Sequence, residues 1–127
     1  MRILIIIGTR PEAIKMLPLA IELKKYNTVE AAICFSGQHA SLADEVFEFF
    51  GIAPDFAYDK GMREGRSLGE LTVVLLNYFD VVFKKYKPDT VLVHGDTTTA
   101  FCASLSAFYT GIKIAHIEAG LLSLIHI

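Results

Sequence analysis

The sequence has little excess charge of either sign and only two cysteines. Its 127 residues include 12 basic and 14 acidic side chains, so the formal net charge is -2. This near balance argues against a nucleic-acid-binding protein, because such proteins carry a strongly basic surface. Both cysteines, Cys34 and Cys102, lie in apolar stretches, without the spacing of a metal site. We expect buried thiols in a reducing compartment, the cytoplasm, rather than a disulfide.

Long hydrophobic segments are also lacking. A membrane-spanning helix needs roughly 20 apolar residues. The most hydrophobic long stretch, 71–83, is interrupted by Asn77 and Asp80. The apolar run before Gly8 has five residues, which is too short for the hydrophobic region of a signal peptide. The sequence therefore predicts no membrane association. With 53% hydrophobic residues and the length of one ordinary domain, it can bury a single core.

Strand and helix patterns alternate along the chain. Apolar, β-branched segments predict strands at 2–7, 30–35, 56–58, 90–93 and 112–115. Helices are expected at 11–26, 42–50, 67–87 and 97–109, the third opened by a capping box formed by Ser67 and Glu70. This rhythm predicts an α/β fold, a Rossmann-like, open, mostly parallel, doubly wound sheet with helices on both faces.

Ligands of such folds bind outside the carboxyl ends of the strands. Three polar clusters fall at strand ends: 8–12, 94–98 and 116–120. In the first, free backbone amides at a helix start and the guanidinium of Arg10 can bind a phosphate. The alternative is an ordinary strand-to-helix turn with a solvated Arg10. Lys15 is expected to pair with Glu12 or to face solvent, unless the ligand is a diphosphate.

The other two clusters contain the same pattern, a histidine followed two residues later by a carboxylate. The pairs are His94 with Asp96 and His116 with Glu118. If the two strands are neighbours, Asp96 and Glu118 approach each other at the mouth of the sheet. Paired carboxylates in a cleft can supply an acid and a base to one reaction. Asp96 is also suited to be the N-cap of the helix that begins near Thr97.

Histidine and carboxylate side chains can also bind metals. The sequence has no H-E-x-x-H motif and no pair of cysteine ligands, so we predict no metal site. His94 and His116 are instead expected to support their neighbours. Gln38 and His39 follow the second strand, where they can contact a ligand or cap a helix.

Four motifs together closely resemble the non-hydrolysing UDP-N-acetylglucosamine 2-epimerases, in that family's order. They are G-T-R-P-E-A-I-K-M at 8–16, G-Q-H at 37–39, V-H-G-D-T-T-T at 93–99 and H-I-E-A-G-L at 116–121. The resemblance implies that 1–121 form the N-terminal half of a GT-B-type enzyme, in which two Rossmann-like domains face each other across a cleft. The second domain is not in this chain. Residues 122–127 are unlike the family, and we expect them to be an artefactual tail.

The resemblance further implies a reaction and its residues. The enzyme would interconvert UDP-N-acetylglucosamine and UDP-N-acetylmannosamine for polysaccharide biosynthesis by eliminating and re-adding UDP. No cofactor is implied, because this chemistry involves no net redox change. Arg10 and Lys15 match the cations that bind the substrate, and Asp96 and Glu118 match the catalytic and substrate-binding carboxylates. Gln38 and His39 match a block near the site where bacterial members bind a second UDP-sugar as activator.

The segment alone is expected to be inactive, and the full-length protein is expected to be a homodimer. Two other hypotheses stay open. The chain can be a fragment of a GT-B glycosyltransferase or of a hydrolysing epimerase, which would transfer the sugar or release free N-acetylmannosamine. It can also be a free-standing nucleotide-binding domain, which a true stop codon after Ile127 would favour.

Overall fold

Strands and helices alternate strictly along the part of the chain that the computed structural model describes, residues 1–38, 40–58, 61–62 and 64–118. The elements, in chain order, are β1 (Arg2–Ile7), α1 (Arg10–Leu23), β2 (Glu30–Phe35), α2 (Ala40–Phe50), β3 (Phe56–Ala57), α3 (Leu68–Tyr86), β4 (Thr90–His94), α4 (Thr98–Thr110) and β5 (Lys113–Ile117). All strand pairs are parallel, and the sheet order is β3-β2-β1-β4-β5. The predicted doubly wound parallel sheet is confirmed.

Element boundaries differ from the predicted ones by a few residues. Helix α1 ends at Leu23 rather than Tyr26, and β5 runs on to Ile117 rather than ending at Ala115. The extension of β5 has a tertiary cause, because the β4–β5 ladder continues until His94 pairs with Ile117. The predicted capping box opens α3: the Ser67 hydroxyl accepts from the Glu70 amide, and the Glu70 carboxylate accepts from the Ser67 amide.

Two apolar clusters lie on the two faces of the sheet. Successive strand residues point to opposite faces, so Leu4 and Ile6 of β1 pack on one side while Ile5 and Ile7 pack on the other. The first cluster includes the buried side chains of α3 and α4, and the second those of α1 and α2. Both faces of β1 are therefore covered, which explains why its sequence is a continuous apolar run.

The two cysteines are buried in the first cluster and are not disulfide-bonded. The expectation of buried thiols is confirmed. None of the helices within the described ranges is both long and apolar enough to span a membrane. His39 and the predicted tail, 122–127, lie outside the described residues.

Candidate functional site at the carboxyl ends of β4 and β5

The two histidine-carboxylate segments leave the sheet side by side. β4 and β5 are neighbours, with His94 opposite Ile117, so the condition for bringing the segments together is met. Just beyond the ladder, the amide of Gly95 donates to the carbonyl of Ile117 at 3.0 Å. Gly95 and Glu118 both have positive φ angles, 66° and 60°. The segments that follow β4 and β5 therefore both turn sharply at the carboxyl ends of the strands, where ligands of such sheets bind.

Glu118 lies at the centre of a cluster drawn from three elements. One carboxylate oxygen accepts from Lys15 Nζ of α1 at 2.7 Å, and the other lies 2.8 Å from His94 Nε2 at the end of β4. The hydrogen bond from Lys15, reinforced by that from His94, holds the pKa of Glu118 below its usual value. The expectation that Lys15 pairs with Glu12 is wrong, because packing brings Glu118 within reach of α1. The alternative of a solvent-exposed Lys15 is confirmed in part, since its side chain is 54% exposed while it pairs with Glu118.

Asp96 does not cap α4. The helix begins at Thr98, and the residue before it, Thr97, accepts from the amide of Ala100 at 3.1 Å. The capping interpretation of Asp96 is therefore wrong by one residue. Asp96 is instead exposed and lines a pocket with His116 and Phe101. This leaves its carboxylate available at the edge of the sheet.

The turn at 8–12 is built around a buried carboxylate. Glu12 is 1% exposed, and its Oε2 accepts from the amides of Gly8 and Thr9 at 2.8 and 2.7 Å. Those amides are thus not free for a phosphate, which corrects the prediction. The T-x-x-E spacing of Thr9 and Glu12, a capping-box signature, could have shown this. Arg10 is exposed and lines a groove between α1 and α2, so its guanidinium can contact an anion.

Gln38 supports the start of α4. Its side-chain oxygen accepts from the hydroxyl and the amide of Thr99 at 2.6 and 3.2 Å. The Thr99 hydroxyl also lies 2.9 Å from that of Ser36. Of the two roles predicted for Gln38, the structure shows the capping one. Sequence reasoning did not single out Ser36, because a lone serine after a strand carries no distinctive signal.

The arrangement combines an ionised carboxylate, an imidazole and two cations at one end of a Rossmann-like sheet. Such groups can move a proton and bind an anion. Within the described ranges, no three His, Cys, Asp or Glu side chains are grouped to hold a metal ion. Fold and site together define the class: a Rossmann-like domain with candidate acid–base and anion-binding groups at its strand ends.

Comparisons with known proteins give the family. The model of the UDP-N-acetylglucosamine 2-epimerase family matches residues 21–124. The chain belongs to this family. It is 48% identical over 120 residues to the UDP-N-acetylglucosamine 2-epimerase of Salmonella borreze, covering 94% of this chain and 32% of that protein.

Solved structures agree with this assignment. The UDP-GlcNAc 2-epimerase of Neisseria meningitidis bound to UDP-GlcNAc superposes with a TM-score of 0.88 at 46% identity, covering 95% of this chain and 32% of that one. The Methanocaldococcus jannaschii UDP-GlcNAc 2-epimerase in complex with UDP-GlcNAc and UDP gives a TM-score of 0.87 at 37% identity, covering 95% and 33%. The chain thus spans about a third of the length of the relatives it matches.

Proposed function

We propose that this chain is the N-terminal Rossmann-like part of a GT-B-type enzyme that interconverts UDP-N-acetylglucosamine and UDP-N-acetylmannosamine. The observation that carries the proposal is the Glu118 carboxylate, which lies between Lys15 and His94 at the carboxyl ends of two adjacent strands. In a chain of this family, a carboxylate that is ionised at neutral pH can accept a proton, and the ammonium of Lys15 beside it can bind a diphosphate.

The proposed reaction has two stages. A base removes the proton at C2 of the sugar while the C1–oxygen bond to UDP breaks, which gives a glycal and free UDP. UDP then adds back at C1 and a proton returns to C2 on the opposite face. Glu118 and Asp96 are the proposed acid–base pair. No net oxidation occurs, so the chemistry requires no redox cofactor.

Two cations are proposed to bind the diphosphate. The side chain of Lys15 is 54% exposed, so its ammonium can reach a ligand while it remains near Glu118. Arg10 is exposed at the start of α1, so its guanidinium can bind an anion through charge-assisted hydrogen bonds. The diphosphate leaves during the reaction, and these positive charges stabilise it as it departs.

The proposal extends to the whole protein. This chain alone supplies one wall of the cleft and is expected to be inactive. Exposed aromatic side chains on α2 and α4, namely Phe49, Phe108 and Tyr109, support contact with further protein, and we propose a homodimer for the full-length enzyme. The buried, unpaired cysteines support a reducing compartment, and we propose the cytoplasm.

The experiment uses a full-length protein that contains this segment. UDP-N-acetylglucosamine is incubated with it in deuterated water, and the products are followed by NMR. We expect UDP-N-acetylmannosamine with deuterium at C2. Free N-acetylmannosamine would instead indicate a hydrolysing enzyme, and transfer of the sugar to an acceptor would indicate a glycosyltransferase. Binding without any conversion would leave a nucleotide-binding domain.

A further inference from the structure

We propose that His94 is a positioning residue that fixes the orientation of the Glu118 carboxylate for the reaction. The inference rests on the proposed function and adds a residue to its machinery. His94 Nε2 lies 2.8 Å from Glu118 Oε2, and the His94 side chain is only 9% exposed. β4, which carries His94, is paired on both sides, with β1 and β5. The imidazole is therefore a fixed point at the end of an interior strand.

The hydrogen bond has a defined direction. Lys15 and His94 lower the pKa of Glu118, so this carboxylate is ionised at neutral pH and can only accept hydrogen bonds. His94 must then donate through a hydrogen on Nε2. In this tautomer the imidazole orients the carboxylate and leaves the lone pairs of its other oxygen to Lys15.

The backbone conformation of Glu118 also indicates that its side chain is held in one orientation. Its φ angle is 60°, in the left-handed region that side chains with a Cβ avoid. Such conformations persist where surrounding contacts enforce them, and they concentrate at functional sites. Here the contacts from His94 and Lys15 bind the carboxylate, and the hydrogen bond from Gly95 to Ile117 anchors the residue before it.

The two side chains that contact Glu118 differ in how far they are enclosed by the protein. Lys15 reaches it with a long side chain that is 54% exposed, whereas His94 reaches it with an enclosed ring. A bound diphosphate competes with Glu118 for the ammonium of Lys15. Because the His94 ring is enclosed, we expect it to keep Glu118 oriented when Lys15 turns toward the ligand.

The first test uses the full-length protein that contains this segment, with carbon-13 in its glutamate side chains, and follows the Glu118 carboxyl resonance against pH. Among the described residues, the titratable groups that face this carboxylate are Lys15 from α1 and His94 from β4. We expect His94→Ala to raise the pKa of Glu118, because a donor to the ionised form is lost. His94→Gln, whose amide can donate in the same direction, should restore most of the difference.

A matched control is His116→Ala. Like His94, this histidine lies two residues before a carboxylate. Its Nε2, however, contacts the carbonyl oxygen of Gly95 and not Glu118. The pKa of Glu118 should therefore be unchanged in this variant. If His94→Ala loses its dispersed amide resonances, His94→Asn replaces it, since the shorter side chain cannot reach Glu118. A wild-type titration of Glu118 in the folded variant would overturn the proposal.

The second test measures turnover in the full-length protein. We expect His94→Ala to lower kcat on the order of 100-fold, the cost of a misplacement of about 1 Å, with KM nearly unchanged. The acid limb of the pH profile of kcat should move to higher pH. His94→Gln should restore most of the wild-type kcat and the wild-type position of this limb. A normal kcat and profile in His94→Ala beside an inactive Glu118→Gln would overturn the role of His94 alone. Full turnover in Glu118→Gln would overturn the proposed function.

Discussion

The buried carboxylate of Glu12 accepts a 2.6 Å hydrogen bond from the hydroxyl of Thr97, which joins the start of α1 to the start of α4. The same hydroxyl accepts from the amide of Ala100, so it caps one helix while donating to the other. Lys15 follows Glu12 on α1, and Asp96 directly precedes Thr97. This contact therefore fixes two segments that carry candidate ligand-binding groups relative to each other.

Removal of the Glu12 carboxylate should destabilise the fold. Glu12→Ala leaves the amides of Gly8 and Thr9 and two hydroxyls without their acceptor. We expect the free energy of unfolding in urea to fall by about 3 kcal/mol, because buried donors lose hydrogen bonds to a charged group. Glu22→Ala is the control: its exposed ion pair with Lys25 should contribute less than about 1 kcal/mol. Equal losses in the two variants would contradict the assignment.

The close packing around Gly8 makes a second prediction about stability. A Cβ at Gly8 would overlap the hydroxyls of Thr99 and Ser36, so Gly8→Ala should cost about 1–3 kcal/mol. Gly69, near the start of α3, has only the Ser67 hydroxyl at 3.9 Å from such a Cβ. There alanine should be neutral or stabilise by up to about 1 kcal/mol. Thermal unfolding should show a lower melting temperature for Gly8→Ala and an equal or higher one for Gly69→Ala, and an unchanged melting temperature of Gly8→Ala would show that this turn can relax.

The proposed acid–base pair predicts large losses of turnover in the full-length protein. Asp96→Asn and Glu118→Gln each remove a titrating charge with little change of shape, so C2 proton exchange should fall roughly 10²–10⁴-fold. Thr97, not Asp96, caps α4, so the melting temperature of Asp96→Asn should hardly change. If the pair acts as a unit, the double variant loses less than the product of the single effects. Wild-type exchange in both single variants would leave the two residues as structural.

The proposed diphosphate contact of Arg10 is tested by binding. Arg10→Ala in the full-length protein should weaken UDP binding by about 1.5–3 kcal/mol, the contribution of a charge-assisted hydrogen-bonded pair. Lys84→Ala removes the same charge from an exposed ion pair with Asp80 on α3 and should leave UDP affinity unchanged. Calorimetric titration checks both, and unaltered affinity in Arg10→Ala would exclude its assigned role.

The buried thiols predict a dependence of stability on pH. Burial raises the pKa of Cys34 from the usual thiol value of 9.0 to about 12, and burial also raises the pKa of Cys102. Above about pH 9 the unfolded chain ionises these thiols while the folded chain keeps Cys34 protonated, so the free energy of unfolding falls as pH rises. Urea unfolding at pH 8 and pH 10.5 should show the loss, and Cys34→Ala should reduce it. A native chain whose thiols react rapidly with a disulfide reagent at pH 8 would contradict the burial.

Local sequence signals were sufficient for most of the secondary structure. The isoleucine-rich run at 2–7, the capping box of Ser67 and Glu70, and the alternation of strands with helices each act over a few residues. They predicted the elements and the doubly wound parallel sheet, because parallel strands with intervening helices leave few other topologies. The same alternation of strands and helices predicted that the candidate residues lie at strand ends.

The hydrogen-bond partners of those residues were decided by tertiary structure alone. Lys15 has an acidic neighbour three residues before it, Glu12, yet its partner is Glu118, 103 residues away. Glu12 itself is turned inward to the amides of its own turn and to Thr97. Sequence spacing determines which side chains share an element, but the distance between side chains on different elements depends on how helices pack across a sheet. At this site, that packing places Glu118 between Lys15 and His94.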